Sequence, residues 1–306
     1  MPRRHIFRPL LSVILVLSAA QGALAQSLDP RSYVNTPVGI NFLVGTYSYQ
    51  SGSVLFDPSV PITNATMHIQ GPIAGFARAL DLWGLSGKTD AGVGWQCLNG
   101  TGDVGTTTRT RDVCGFSDPM ARISINFLGA PALTMRQFPH YKQKWLVGAS
   151  LRVTAPLGQY DADKLVNIGT HRWSFMPQLG VSRATGRFTL EFLGGVVFYT
   201  TNGDFFGGHV LDVSPLYSGQ INVIYTFRSG IWGGLGGTLY GGGAATVDGG
   251  APGERQENTR AGGVLVFPIG KQNSLKIVAS FGATARTGTD FDQVTVTWQY
   301  RWGGKK

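Results

Sequence analysis

The chain has 306 residues, of which 14% are charged, 42% are hydrophobic and 44 are glycine, and its formal net charge is +9. So few charges exclude a typical soluble domain, and no apolar run after residue 25 is long enough for a membrane-crossing helix. The 26 basic residues are spread singly instead of clustering in a run or on one face, so no nucleic-acid partner is expected.

The first element reads as an export signal. Arg3, Arg4 and Arg8 precede an apolar run from Leu10 to Ala20, and Ala23-Leu24-Ala25 forms a small-residue cleavage site before Gln26. That run is too short to span a bilayer, so residues 1–25 are expected to be removed and 26–306 to form one barrel domain. Without the three signal arginines the chain carries 23 basic and 17 acidic residues, a net +6. No cysteine follows the site, so no lipid anchor is indicated.

From about Val38 onward the pattern has a period of two, the spacing of a strand with unlike faces. About twelve such segments are expected, each long enough for a tilted membrane-crossing strand. Thr66 to Leu85 is less regular, and the strand limits there are not defined by alternation. The stretch "MARISINFLG" places Arg122, Ser124 and Asn126 on one side. In "KWLVGASLRVTAPL", Trp145, Val147, Ala149, Leu151 and Val153 alternate with Gly148, Ser150, Arg152 and Thr154. Later segments repeat this, with Phe188, Leu190 and Phe192 against Glu191, and Ile221, Val223 and Tyr225 against Gln220 and Asn222. Leu275, Ile277 and Phe281 oppose Lys276 and Ser280; Val294, Val296, Trp298, Tyr300 and Trp302 oppose Thr295, Gln299 and Arg301.

Connection lengths alternate too. Tight links at 183–187, 228–230 and 268–273 fall between longer polar or glycine-rich loops near 50–66, 97–116, 158–170, 201–214 and 241–255. Short periplasmic turns and long external loops are the pattern of an outer-membrane up-and-down β-barrel, and an even strand count puts both chain ends on the periplasmic side. The link 129–143 breaks the rule by being long on the short-turn side, which points to a helical turn or to a miscount. Aromatics end the apolar faces (Trp145, Trp173, Phe198, Trp298, Trp302), as interfacial girdles do.

Cys97 and Cys114 are the only cysteines. In an exported chain one even pair flanking a Gly/Thr-rich loop most simply forms a disulfide. No cofactor or metal is expected. Asp161, Asp163 and Asn167 miss the calcium-loop spacing, and the glycine-rich stretch 230–243 lacks the strand-to-helix context of a phosphate loop. That stretch reads as barrel wall with little bulk on the lumen side.

If apolar faces meet lipid, the polar faces meet a lumen. Arg122, Arg152, Arg260, Lys276, Arg286 and Arg301, opposed in part by Glu191, are then the candidate lumen-lining residues. Two readings stand: these side chains bridge one another and fill a closed pore, or they line a passage that leans toward anionic or polar-aromatic solutes. An enzyme would need a nucleophile beside a base. The best pair, His171 and Ser174, has the parity of opposite strand faces, which disfavours a barrel lipid hydrolase. A structural or adhesive barrel, with the cysteine-held loop binding a partner, is the third class.

Ordered strings carry a resemblance: "PVGINFLVGTYSYQSGSVLFDPS", "LGAPAL", "VGASLRVTAPLGQYDADKLVNIGTHRWSFMPQLGVSRATGRFTLE", "TNGDFFGG" and "TGTDFDQVTVTWQYRW". From Gln26 to Trp302 the chain resembles the bacterial outer-membrane family of transporters linked to the phenol meta-degradation pathway. The resemblance implies an outer-membrane β-barrel that passes small aromatic or hydrophobic compounds, with membrane lipid and the barrel-assembly machinery as its surroundings. One departure is the end of the chain: such barrels finish on an aromatic, whereas "GGKK" follows Trp302 here. Tyr300 and Trp302 keep the aromatic spacing.

Overall fold

The computed structural model describes residues 28–55, 62–228 and 230–304, so the expected signal peptide lies outside the described residues. In chain order the first strands are β1 (Ile40–Leu55), β2 (Ile62–Leu82), β3 (Leu85–Val104), β4 (Thr107–Phe116), β5 (Met120–Leu128), β6 (Trp145–Thr154), β7 (Ser174–Thr185) and β8 (Phe188–Tyr199). They are followed by β9 (Asn202–Phe205), β10 (His209–Val213), β11 (Leu216–Arg228), β12 (Ile231–Gly242), β13 (Ala245–Val247), β14 (Gln256–Ile269), β15 (Asn273–Thr284) and β16 (Gly288–Gly303).

Twelve of these, β1 to β3, β5 to β8, β11, β12 and β14 to β16, make an antiparallel barrel. It closes where β1 pairs with β16 from Ile40 opposite Gly303 to Leu55 opposite Gly288. Closure satisfies the backbone without an edge, the condition for crossing hydrocarbon. Alternation then sorts side chains as a membrane barrel requires. Leu43, Leu179, Phe192, Val223 and Val296 are exposed on the outside, while Ser48, Asn126, Glu191, Asn222 and Ser280 are buried inside.

Turns follow the expected alternation with two exceptions, the long β5–β6 link on the short-turn side and the β15–β16 link on the long-loop side, where only residues 285–287 intervene. Between β2 and β3 only Trp83 (φ 56°) and Gly84 (φ 83°) intervene, a two-residue hairpin of the kind that matches strand twist. The link from β5 to β6 is long and holds one 3₁₀ turn, Phe138–His140, within otherwise irregular chain; the strand count is unaltered. The irregular region from Thr66 to Leu85 is mostly one strand, β2. Its pairing with β3 skips from Gln70 opposite Cys97 to Ile73 opposite Gly94, across Gly71 and Pro72. Proline has no N–H for the ladder, and below it Ile73, Gly75 and Ala77 face inward, so both sides of β2 are apolar or small and alternation fades.

β3 changes partners partway. Gly87 to Gly92 pair with β5, whereas Trp95 to Val104 pair with β4, so the β3–β4 hairpin extends past the end of β5 while β3 stays paired with β2 as far as Val104. Cys97 and Cys114 face each other across it and form a disulfide. A second sheet, β9-β10-β13, joins two external loops over Phe205 and Leu211, with Leu165 and Val247 against them.

Candidate functional site: an interior segment and its flanking cavity

Residues 28–39 do not join the sheet; they run inside the barrel. Wall glycines make the room. Gly148 and Gly180 are cross-strand partners on β6 and β7, and an added Cβ would lie 2.7 Å and 2.3 Å from the Tyr33 ring. Gly236 and Gly262, partners on β12 and β14, admit Leu28 in the same way, at 3.1 Å and 2.5 Å. The glycine-rich wall therefore takes side chains of the chain's own N-terminal segment.

Polar contacts fix the segment between those two bays. Asp29 Oδ2 accepts from Arg122 Nη1 at 3.2 Å, and Lys276 Nζ lies 3.8 Å from its other oxygen. The Ser32 hydroxyl also donates to Asp29 Oδ2, at 2.9 Å. Arg122 donates in addition to Asp90 at 3.0 Å, and Lys88 donates to the Ser32 carbonyl at 3.1 Å. The Arg31 N–H donates to Glu191 Oε2 at 2.8 Å, while its guanidinium donates to Thr226 Oγ1 at 2.8 Å and lies 4.5 Å over the Trp232 ring. The Tyr33 hydroxyl is 2.9 Å from Ser150 Oγ, and Asn126 donates to the Tyr33 carbonyl at 2.9 Å.

The seven charged residues singled out from alternation divide by position. Arg122 and Arg152 are cross-strand partners and, with Asp29, line one small interior pocket. Lys276 meets Asp29, and Glu191 meets Arg31. Arg260 is buried against the wall, donating to the Phe291 carbonyl at 2.5 Å and the Ser280 hydroxyl at 3.3 Å. Arg286 stands just past β15, exposed, paired with Glu254 at 3.4 Å and Glu257 at 3.2 Å. Arg301 is on the opposite rim, donating to the Lys271 carbonyl at 2.9 Å. The residues that gather the interior group, Asp29, Arg31 and Tyr33, have no period to betray them. Only the inward glycines hint that another backbone or side chain comes close.

Beside the segment lies a cavity of about 1020 Å³. Phe42, Val44, Ile73, Ala77 and Val266 supply its apolar lining, and Asp29, Lys88, Arg122 and Lys276 its charged lining, with Val266 and Lys276 side by side on β14 and β15. Its lining runs from Met135, Phe138 and Arg301 at the short-turn end to Ile69, Leu98 and Ile168. There it ends against an apolar cluster of Val54, Met67, Ile69, Leu98 and Phe291, onto which Val166 and Ile168 of the loop 155–173 pack.

That loop is tied down by its own polar groups. The Asn167 side chain accepts from the Asp161 N–H at 3.0 Å and donates to the Asp161 and Lys164 carbonyls, so these residues serve the turn itself. Asp118 accepts from the Gly158 N–H and from Thr170. Arg172, buried and 4.5 Å over the Tyr199 ring, is pushed down to about 10 by burial and so stays protonated at neutral pH. His171 stacks on Tyr160 at 4.7 Å.

Fold and interior together define an outer-membrane β-barrel that encloses a stretch of its own chain beside an amphipathic cavity. Residues 62–298, more than half of the chain, match the family model described as "Putative MetA-pathway of phenol degradation", and the chain belongs to that family. Among solved structures, an outer membrane channel from Pseudomonas putida F1 superposes with a TM-score of 0.77 at 18% identity, covering 90% of this chain and 100% of that one. The β domain of the Bordetella autotransporter BrkA follows at a TM-score of 0.51 and 11% identity, covering 87% of this chain and 100% of that one. At these identities the likeness is one of fold. Comparison with curated proteins returns no match.

Proposed function

We propose that the protein is a passive outer-membrane channel for small aromatic or hydrophobic compounds, and that the flanking cavity is part of their route. The observation that carries this is the cavity's mixed lining. The apolar side chains of Phe42, Val44 and Ile73 suit a ring, and the charged groups of Asp29, Lys88, Arg122 and Lys276 in the same cavity suit one polar substituent. The family description and the channel from Pseudomonas putida F1 support the same reading.

Arg122, Arg152, Lys276, Arg260 and Glu191 are proposed to line the passage, with Arg286 at its outer end and Arg301 at its inner end. Around the segment, Arg31, Lys88, Arg122, Arg152 and Lys276 face Asp29, Asp90 and Glu191, a cationic excess that favours anions. A hydrolase reading has less support, since the His171 ring is engaged with Tyr160. Surrounding lipid and the assembly machinery, meeting Tyr300 and Trp302, complete the proposed partners.

Liposome swelling tests the route. Small phenolics and aromatic acids are expected to enter vesicles bearing the protein faster than sugars of equal mass. A barrel that inserts yet admits none of them would end the proposal.

A further inference from the structure

One sector of the barrel's outer surface is unlike the rest. At the short-turn end of β6, β7, β8 and β11, Arg183 and Arg187 sit exposed on the lipid side among aromatic rings. Residues 129–148, 181–190 and 223–233 contain no Asp or Glu, and among the described residues neither arginine is in an ion pair. The outer loops, in contrast, hold Asp161, Asp163, Asp204 and Asp248.

The geometry of the two arginines is specific. Arg183 is the cross-strand partner of Trp145, and its guanidinium lies 5.0 Å over that ring. A stacked guanidinium keeps its in-plane N–H groups free for a planar or tetrahedral anion. Among the described residues it has no hydrogen-bond partner. Arg187, in the β7–β8 turn, donates to the Tyr225 hydroxyl at 3.4 Å, and that ring packs edge-on against Phe188 at 4.9 Å. Leu190, opposite Arg183 on β8, continues the apolar surface toward the membrane centre.

We infer that this sector binds the phosphodiester headgroup of an anionic glycerophospholipid in the leaflet on the short-turn side. Charge complementarity selects the anion, since both cations lack an acidic partner. Placement selects lipid over a soluble acidic protein. The arginines share their surface with Trp145, Phe188 and Leu190, which face hydrocarbon and its interface, so the phosphate that meets them carries acyl chains alongside.

Native mass spectrometry of the folded barrel in micelles tests this with phosphatidylglycerol and phosphatidylcholine of identical chains. The expected result is preferential retention of phosphatidylglycerol, reduced about 25-fold by the Arg183→Gln/Arg187→Gln double change, from roughly fivefold per charge. Phosphatidylcholine retention and the lipid-free unfolding temperature should not move. Arg183→Lys, which keeps charge but loses the stacked fork, is expected to fall between. Equal retention of both lipids, or undiminished phosphatidylglycerol in the double variant, overturns the inference. So does polyglutamate binding as tightly as the lipid and with the same loss in the variant.

Discussion

Asp29 is the residue on which the interior segment turns. It accepts from Arg122 and Ser32 and lies near Lys276, so Asp29→Asn leaves Arg122 with Asp90 alone. Because the Asp29 side chain is 34% exposed, the loss is set at only about 1 kcal/mol, some fivefold in the segment's release. Trypsin cleavage after Arg31 should quicken by that factor; an unchanged rate would mean that Tyr33 and Leu28 hold the segment by themselves. Gly180→Val attacks the same segment sterically, since its Cβ would meet the Tyr33 ring, and overpacking of this kind costs about 1–3 kcal/mol. The same change at Gly194, where nothing lies within 4 Å of the added carbon, serves as its control. The inward parity of Arg122, Arg152 and Glu191 is readable from alternation, but their gathering around one segment is not, because "LDPRSYVNT" has no period of its own. Arg286 shows the converse limit: the pattern runs on in sequence past Thr284, where the strand itself stops.

At the level of elements, the β3–β4 hairpin and the β10–β13 contact make separate predictions. Replacing both Cys97 and Cys114 by serine removes a closure worth about 3 kcal/mol in the chain-entropy model. Trypsin should then cut at Arg109 and Arg111 while the barrel's circular dichroism is retained; loss of the barrel signal would contradict the hairpin's independence. Asp248 accepts from the Val210 N–H at 2.8 Å and meets His209 Nδ1 at 2.6 Å, and these bonds, the backbone one foremost, hold its carboxyl below the usual range. A lowered carboxylate pKa contributes stability that is complete above about pH 4 and is lost as pH falls through the depressed value. The protection of the Val210 amide against exchange, relative to its intrinsic rate, should therefore fall only in that acid window, and Asp248→Asn should abolish that fall. The strands themselves were legible wherever one face met lipid and the other polar groups. β2 resisted because its inner face is apolar too, and that same departure marks the wall of the cavity.

For the whole molecule, the decisive property is the sign of the interior field. With more fixed cations than anions around the segment, a salt gradient across a planar bilayer should give a reversal potential on the anion side, and Lys276→Glu should reduce or invert it. Cation preference in the unaltered protein would contradict the proposed lining. Closure of twelve strands and the alternation of turn lengths could be foreseen from the sequence, since both follow from hydrogen bonding in hydrocarbon. Occupancy of the lumen could not, because it depends on which glycines happen to stand opposite one another.

The uneven height of the wall has a practical corollary. Beyond its last contact with β5, the third strand runs ten further residues paired with β4, Trp95 to Val104, or about 33 Å of extended chain. An epitope inserted at Gly105, in the tip of that mast, would stand clear of the bilayer and well out among the sugars of the cell envelope. Antibody staining of unbroken cells would then report directly which way the protein is mounted.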